Sequence, residues 1–150
     1  MTGVRTYDAS KVIATVDGNT MSGFADGTFI VVERTEDSFT NVTGADGQTS
    51  RSKSNNRSGT ATITLCQTSP SNEVLSILLA RDEKDGNAVF PFQLKEVGTD
   101  KRLFSATAWI KRMPNVEYGK EINNIEWALD LADISFNITG STGVGVEATS

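Results

Sequence analysis

Residues 60–66 set the first constraint on this chain: Ala61, Ile63 and Leu65 alternate with Thr60, Thr62 and Thr64. A period of two puts the aliphatic side chains on one face of a strand and the hydroxyls on the other, so the segment must cover a core as part of a sheet. The threonine face is left for solvent or for a neighbouring subunit. The same period recurs along most of the chain. In residues 11–16, Val12, Ala14 and Val16 share a side, and Asp17-Gly18-Asn19 supplies the turn chemistry that leads into a second short strand. Residues 28–34 carry Phe29 and Val31 on one face and Ile30 and Val32 on the other, the pattern of a strand covered on both sides and therefore central. Phe90, Phe92 and Leu94 alternate again, and Gly98-Thr99-Asp100 turns the chain into residues 102–112, a second hairpin. Pro91 offers no ladder donor, which predicts an edge or a bulge at that point.

The last strand pattern, residues 125–139, changes phase. Ile125, Trp127, Leu129 and Leu131 share one parity, then Ile134, Phe136 and Ile138 take the other, which predicts a bulge near Ala132-Asp133 or a strand whose halves bury opposite faces. One segment departs from the strand period. Ser69-Pro70 is a helix start, Val74, Leu75, Leu78 and Leu79 form a stripe widened by Ile77, and Asp85-Gly86 is a stop, so a helix is expected over residues 70–84. With strands outnumbering the helix about eight to one, the expected fold is mainly β: a single-domain β-sandwich or partly closed barrel with one packed α-helix.

Between Gly44 and Gly59 lie fourteen residues of which only Ala45 is apolar. A hairpin closes in about two to five residues, so residues 45–58 read as a long inter-strand loop of the kind that serves a partner. Arg51, Lys53 and Arg57 against Asp46 give it a charge of +2 in a chain of net −5, leaving −7 on the remainder. A basic arm on an acidic body is suited to binding further copies of the same chain. The candidate inter-subunit residues are Arg51, Lys53, Asn55, Asn56 and Arg57 in the loop, with Arg5 and Tyr7 in an N-terminal arm of residues 1–10. Residues 140–150 are read as a flexible tail.

Composition removes most catalytic chemistry. There is no histidine, the commonest general base and metal ligand, and a single cysteine, Cys66, with no histidine to activate it. Asp82-Glu83-Lys84-Asp85-Gly86 has a lysine where a calcium loop needs an oxygen ligand, and reads as a charged helix end. An acidic chain repels nucleic acid rather than gripping it. No run is apolar enough for a membrane span, and the start lacks a secretory stretch, so the product is expected to remain in the cytoplasm where it is made. Trp109 and Trp127 leave open a sugar-binding face on a monomeric β-sandwich, against the reading of both as core or interface anchors.

A resemblance adds to this reading. Ser22-Gly23-Phe24-Ala25-Asp26-Gly27 with Val31-Val32-Glu33-Arg34, then Gly44-Ala45-Asp46-Gly47, Ser54-Asn55-Asn56-Arg57-Ser58-Gly59 and Leu65-Cys66-Gln67-Thr68-Ser69-Pro70-Ser71-Asn72, resembles in order and spacing the tail tube proteins of contractile-tailed bacteriophages. The similarity continues through Phe104-Ser105-Ala106 and Val116-Glu117-Tyr118-Gly119-Lys120-Glu121 to Glu126-Trp127. It implies a structural virion protein with no enzymatic activity and no cofactor. Six copies would form a ring, each adding strands to a continuous inner barrel, and rings would stack into a tube. The implied partners are further copies of the chain, the tail sheath protein, the tape measure protein, the tube initiator or baseplate proteins and the tail terminator. Double-stranded DNA would pass through the lumen without specific binding. The implied location is the virion tail, assembled in the host bacterial cytoplasm. The tubes of type VI secretion systems and contractile bacteriocins share the implied fold and are the alternative.

Overall fold

The alternating segment at the centre of the chain forms β6 (Gly59–Cys66), which buries Ala61, Ile63 and Leu65 completely while its threonines stay half-exposed. The structure is a computed structural model and describes residues 6–98 and 101–137. After a short 3₁₀ turn at Ala9–Lys11, β1 (Val12–Val16) and β2 (Asn19–Thr20) form the expected tight hairpin. Asp17 takes a positive φ of 53° and Gly18 one of 79° in its turn. β3 (Ile30–Arg34), β7 (Phe90–Glu96), β8 (Arg102–Ile110), β9 (Asn124–Leu131) and β10 (Ser135–Asn137) complete the main sheet. β4 (Phe39–Thr43) and β5 (Thr49–Lys53) pair only with each other.

The main sheet runs β2-β1-β7-β8-β9-β6-β3, with β10 added on β8, and is antiparallel throughout. Side chains from β1, β7, β8, β9 and β6 meet in a single core cluster. Strands that lie four places apart in one sheet can share a core only if the sheet curls round it, and it does so without closing. The curl has a visible cause. Phe90 faces Ala108 but Phe92 faces Ser105, so β8 carries an extra residue opposite Pro91, a bulge, which is one of the two outcomes that the missing donor predicted. On the other side of the same stretch of β8, the last strand breaks at residues 132–134, where Ala132 N–H donates to Thr107 O (2.9 Å) and Ile134 N–H to Arg57 O (2.8 Å). The phase change near Ala132-Asp133 is therefore a break between β9 and β10 that turns Ile134 into the core, at 2% exposure, while Phe136 remains 60% exposed. Ile138, Thr99 and Asp100 lie outside the described residues.

The helix α1 (Ser71–Asp85) closes the core with Leu75 and Leu78, flanked by the partly buried Val74 and Leu79. Its start is fixed from three directions. Ser69 Oγ accepts from Ser71 N–H (3.1 Å) and donates to Ser22 O (2.6 Å), and Asn72 Nδ2 donates to the carbonyls of Cys66, Gln67 and Ser69. Its end is Gly86 in the left-handed region, φ 71°.

For Trp127 the core-anchor reading holds against the sugar-binding alternative: it is buried, and its Nε1–H donates to Asn72 Oδ1 at 2.9 Å. Three expectations need correction. Ile77 does not widen the buried stripe; it is 55% exposed, because the core is already filled by the i, i+3 pair Leu75 and Leu78. β3 is not central but forms the sheet edge, with β6 as its one neighbour. The stretch 45–58 is not one irregular loop, since residues 49–53 form β5. Threonine and serine residues with no apolar face give a strand that periodicity cannot reveal.

Candidate inter-subunit surface

The β4-β5 hairpin is built by its turn. Gly47 N–H donates to Gly44 O (3.0 Å), Gly44 N–H to Gln48 O (2.8 Å), and Asp46 Oδ1 accepts from Gln48 N–H (3.1 Å), with Gly47 at φ 87°. All ten strand residues are exposed. Phe39 pairs with Lys53 and Asn41 with Arg51, so these four side chains share one face, and the Arg51 guanidinium lies over the Phe39 ring at 4.1 Å.

Hydrogen bonds at its base tie the hairpin to the body. Ser54 N–H donates to Ser38 O (2.8 Å), and Glu36 receives Ser54 Oγ–H and Asn56 Nδ2–H, both at 3.0 Å. These two donors, Asn56 foremost, hold the Glu36 carboxyl below its ordinary value. Asn56 Oδ1 in turn accepts from Ser58 N–H (3.1 Å) and Ser58 Oγ–H (2.7 Å). Arg34 reaches from the sheet edge to Ile134 O (2.8 Å) and Ser38 Oγ (3.2 Å).

Between hairpin and body lies a hollow of about 310 Å³ lined by Arg34, Lys53 and Arg57, by the Phe39 and Phe136 rings, and by Ser38, Ser54, Asn56 and Ser135. Of the residues expected to make inter-subunit contacts, Lys53, Asn56 and Arg57 converge here, although Asn56 spends its amide on Glu36 and Ser58. Arg51 stands further out on the hairpin, stacked on Phe39. Asn55 is exposed and does not line the hollow. Tyr7 is 67% exposed and lines a different recess, of about 240 Å³, with Val12, Leu94, Leu103 and again Phe136. Arg5 lies outside the described residues. Arg34 and Phe136 were not identified from sequence. Phe136 follows the buried Ile134 in the same parity and reads as core; a three-residue strand with no apolar neighbour on its exposed side is the one signal against that.

The edge strand β3 adds a second surface. Phe29 O accepts from Thr64 N–H (2.8 Å) and Thr35 N–H donates to Ser58 O (2.9 Å), which fixes the alternation of the ladder. Val31 and Glu33 bond inward to β6, and the peptide groups of Ile30, Val32 and Arg34 face the open edge. Val31 exposes 47% of its surface on the outer face.

Known proteins share this fold. The family model described as "Bacteriophage PhiTE tail tube protein" matches residues 4–139. The "Structural protein ORF10" of Pseudomonas phage KPP10 is 30% identical over 128 residues, covering 84% of this chain and 74% of that protein. Among solved structures, the fold is similar to the sheath/tube terminator of an extracellular contractile injection system, PVC, in its extended state (TM-score 0.64, 10% identity, 89% of this chain and 98% of that one). It is also similar to the tube-terminating cap of the anti-feeding prophage, AFP (TM-score 0.63, 9% identity, 93% and 95%). A chain of the PVC sheath-tube complex matches with TM-score 0.58 and 10% identity, over 89% and 93%. Those three likenesses concern the fold; the match along nearly the whole sequence and the curated phage relative carry the assignment, and the chain belongs to the bacteriophage PhiTE tail tube protein family, a family of structural tail proteins and not of enzymes.

Proposed function

We propose that copies of this chain close into six-membered rings through their sheet edges, and that the rings stack into the DNA-conducting inner tube of a contractile phage tail. The observation that carries this reading is β3, a strand apolar on both faces that nevertheless sits at the edge of an unclosed sheet. Long edges with apolar side chains are sites for pairing with another chain, and a ring removes them. The basic hairpin and hollow then meet the acidic body of an adjacent subunit, with Arg51, Lys53, Asn55 and Arg57 outward and Asn56 shaping the base. Arg5 and Tyr7 of the N-terminal arm join the same kind of contact.

Six copies at −5 each bring −30 to a ring. A lumen bearing part of that charge repels phosphates, so the duplex slides without sticking. The tube would lie inside a sheath, enclose a tape measure protein during assembly in the host cytoplasm, and be bounded by initiator and terminator proteins. Reversing Arg51, Lys53 and Arg57 to glutamate together tests the contact: the variant is expected to keep the circular dichroism and melting curve of the parent but form no tubes. Long tubes built by that variant would remove the hairpin from the interface.

A further inference from the structure

We infer that the hollow walled by Arg34, Lys53 and Arg57 receives Glu117 and Tyr118 of a second copy. This rests on the self-assembly reading and names the two surfaces that meet. The receiving side is built for an acid beside a ring. Among its lining residues three are cations and none is an acid, and the Phe39 and Phe136 rings flank it. The nearby Glu36 is already engaged by Ser54 and Asn56.

The donating side lies at the far end of the same sheet. Residues 111–123 connect β8 to β9, and Tyr118 at their crest is 86% exposed, the largest value among the exposed large hydrophobic side chains described. The backbone beneath it is held: Gln67 Nε2 and Asn123 Nδ2 both donate to Glu117 O, at 3.2 and 3.1 Å. Neither the Glu117 carboxylate nor the Tyr118 hydroxyl has a polar partner among the described residues. A fixed backbone presenting an unpaired acid and an uncovered ring loses little conformational entropy on docking, which favours a specific contact.

The contact must be between copies. Phe136 pairs with Leu103 near the start of β8, and the loop begins after Ile110, so about seven residues at roughly 3.3 Å each separate the two ends of one chain. A surface that binds a different surface of an identical neighbour is heterologous and propagates into rings or filaments, as a tube requires.

The test uses the full chain with Cys66→Ser as background. Phe136→Cys is introduced in one preparation and Tyr118→Cys in another, and the two are mixed under assembly conditions with oxidised glutathione as the oxidant. A mixed disulfide between the two variants, dominating over either homodimer, is expected. As a second measurement, Glu117→Lys alone should raise the protein concentration needed for assembly roughly thirtyfold while the monomer keeps its fold. Tubes that form without the mixed disulfide, or with Phe136→Cys homodimers instead, overturn this inference and leave the ring-and-tube reading standing. A parent chain that stays monomeric throughout overturns both.

Discussion

Asn72 is the residue on which most of the helix start depends, since one side chain accepts from Trp127 and donates to three backbone carbonyls. Replacing it with alanine leaves the buried indole N–H unsatisfied, at a cost of about 1–3 kcal/mol. Asn72→Ala should therefore melt several degrees lower and shift the tryptophan emission, a pair of readouts that a mere surface change would not move together. Glu36 makes a different prediction. Its carboxyl titrates lower in the folded chain than in the unfolded one because Asn56 and Ser54 donate to the ionised form. The protonated acid accepts these bonds less well, so the contribution is whole above the ordinary carboxylate range and is lost as the pH falls through that range towards the depressed folded value. The protection of the Ser54 and Asn56 amides, measured against the intrinsic exchange rate at each pH, should fall over that window in the parent and show no such step in Glu36→Gln. Neither role was legible in the sequence, because each depends on partners brought together by the fold: Asn72 and Trp127 are 55 positions apart, and Asn56 and Glu36 are 20.

Among the elements, those with an apolar period were the legible ones. β6, the β1-β2 hairpin, β7 with its bulge at Pro91 and the helix with its glycine stop all follow from alternation, spacing and turn chemistry. β5 was not legible, since Thr-Ser-Arg-Ser-Lys carries no apolar residue to reveal a period. β3 was legible as a strand and misplaced in the sheet. Its two apolar faces predict cover on both sides, and within one subunit that cover is incomplete. The mismatch is what motivates the proposed ring, in which a neighbouring copy would supply the missing cover. Val31→Asp should leave the stability of the subunit within about 0.5 kcal/mol, the side chain being on the outer face, while weakening assembly measurably by sedimentation. A large loss of melting temperature in the monomer would instead place Val31 in the subunit's own core.

At the scale of the whole molecule, a mainly β fold and an acidic chain with a basic projection could be read from composition and pattern, whereas the tail tube family was legible only as a resemblance in the order and spacing of motifs, which the family match shows. The hollow could not, because it is assembled from β3, the hairpin base and β10, three segments with no common motif. The molecule carries an unclosed sheet with an apolar edge, a basic hairpin at one end and an exposed Tyr118 at the other, and the proposed assembly would complete these surfaces with copies of the same chain. The most direct test of that claim is negative-stain electron microscopy of the purified full chain, with its solution mass followed by light scattering across a concentration series. The account predicts six-fold rings or hollow tubes and a mass that rises with concentration. A strict monomer at every concentration, with added tube initiator included, would contradict it.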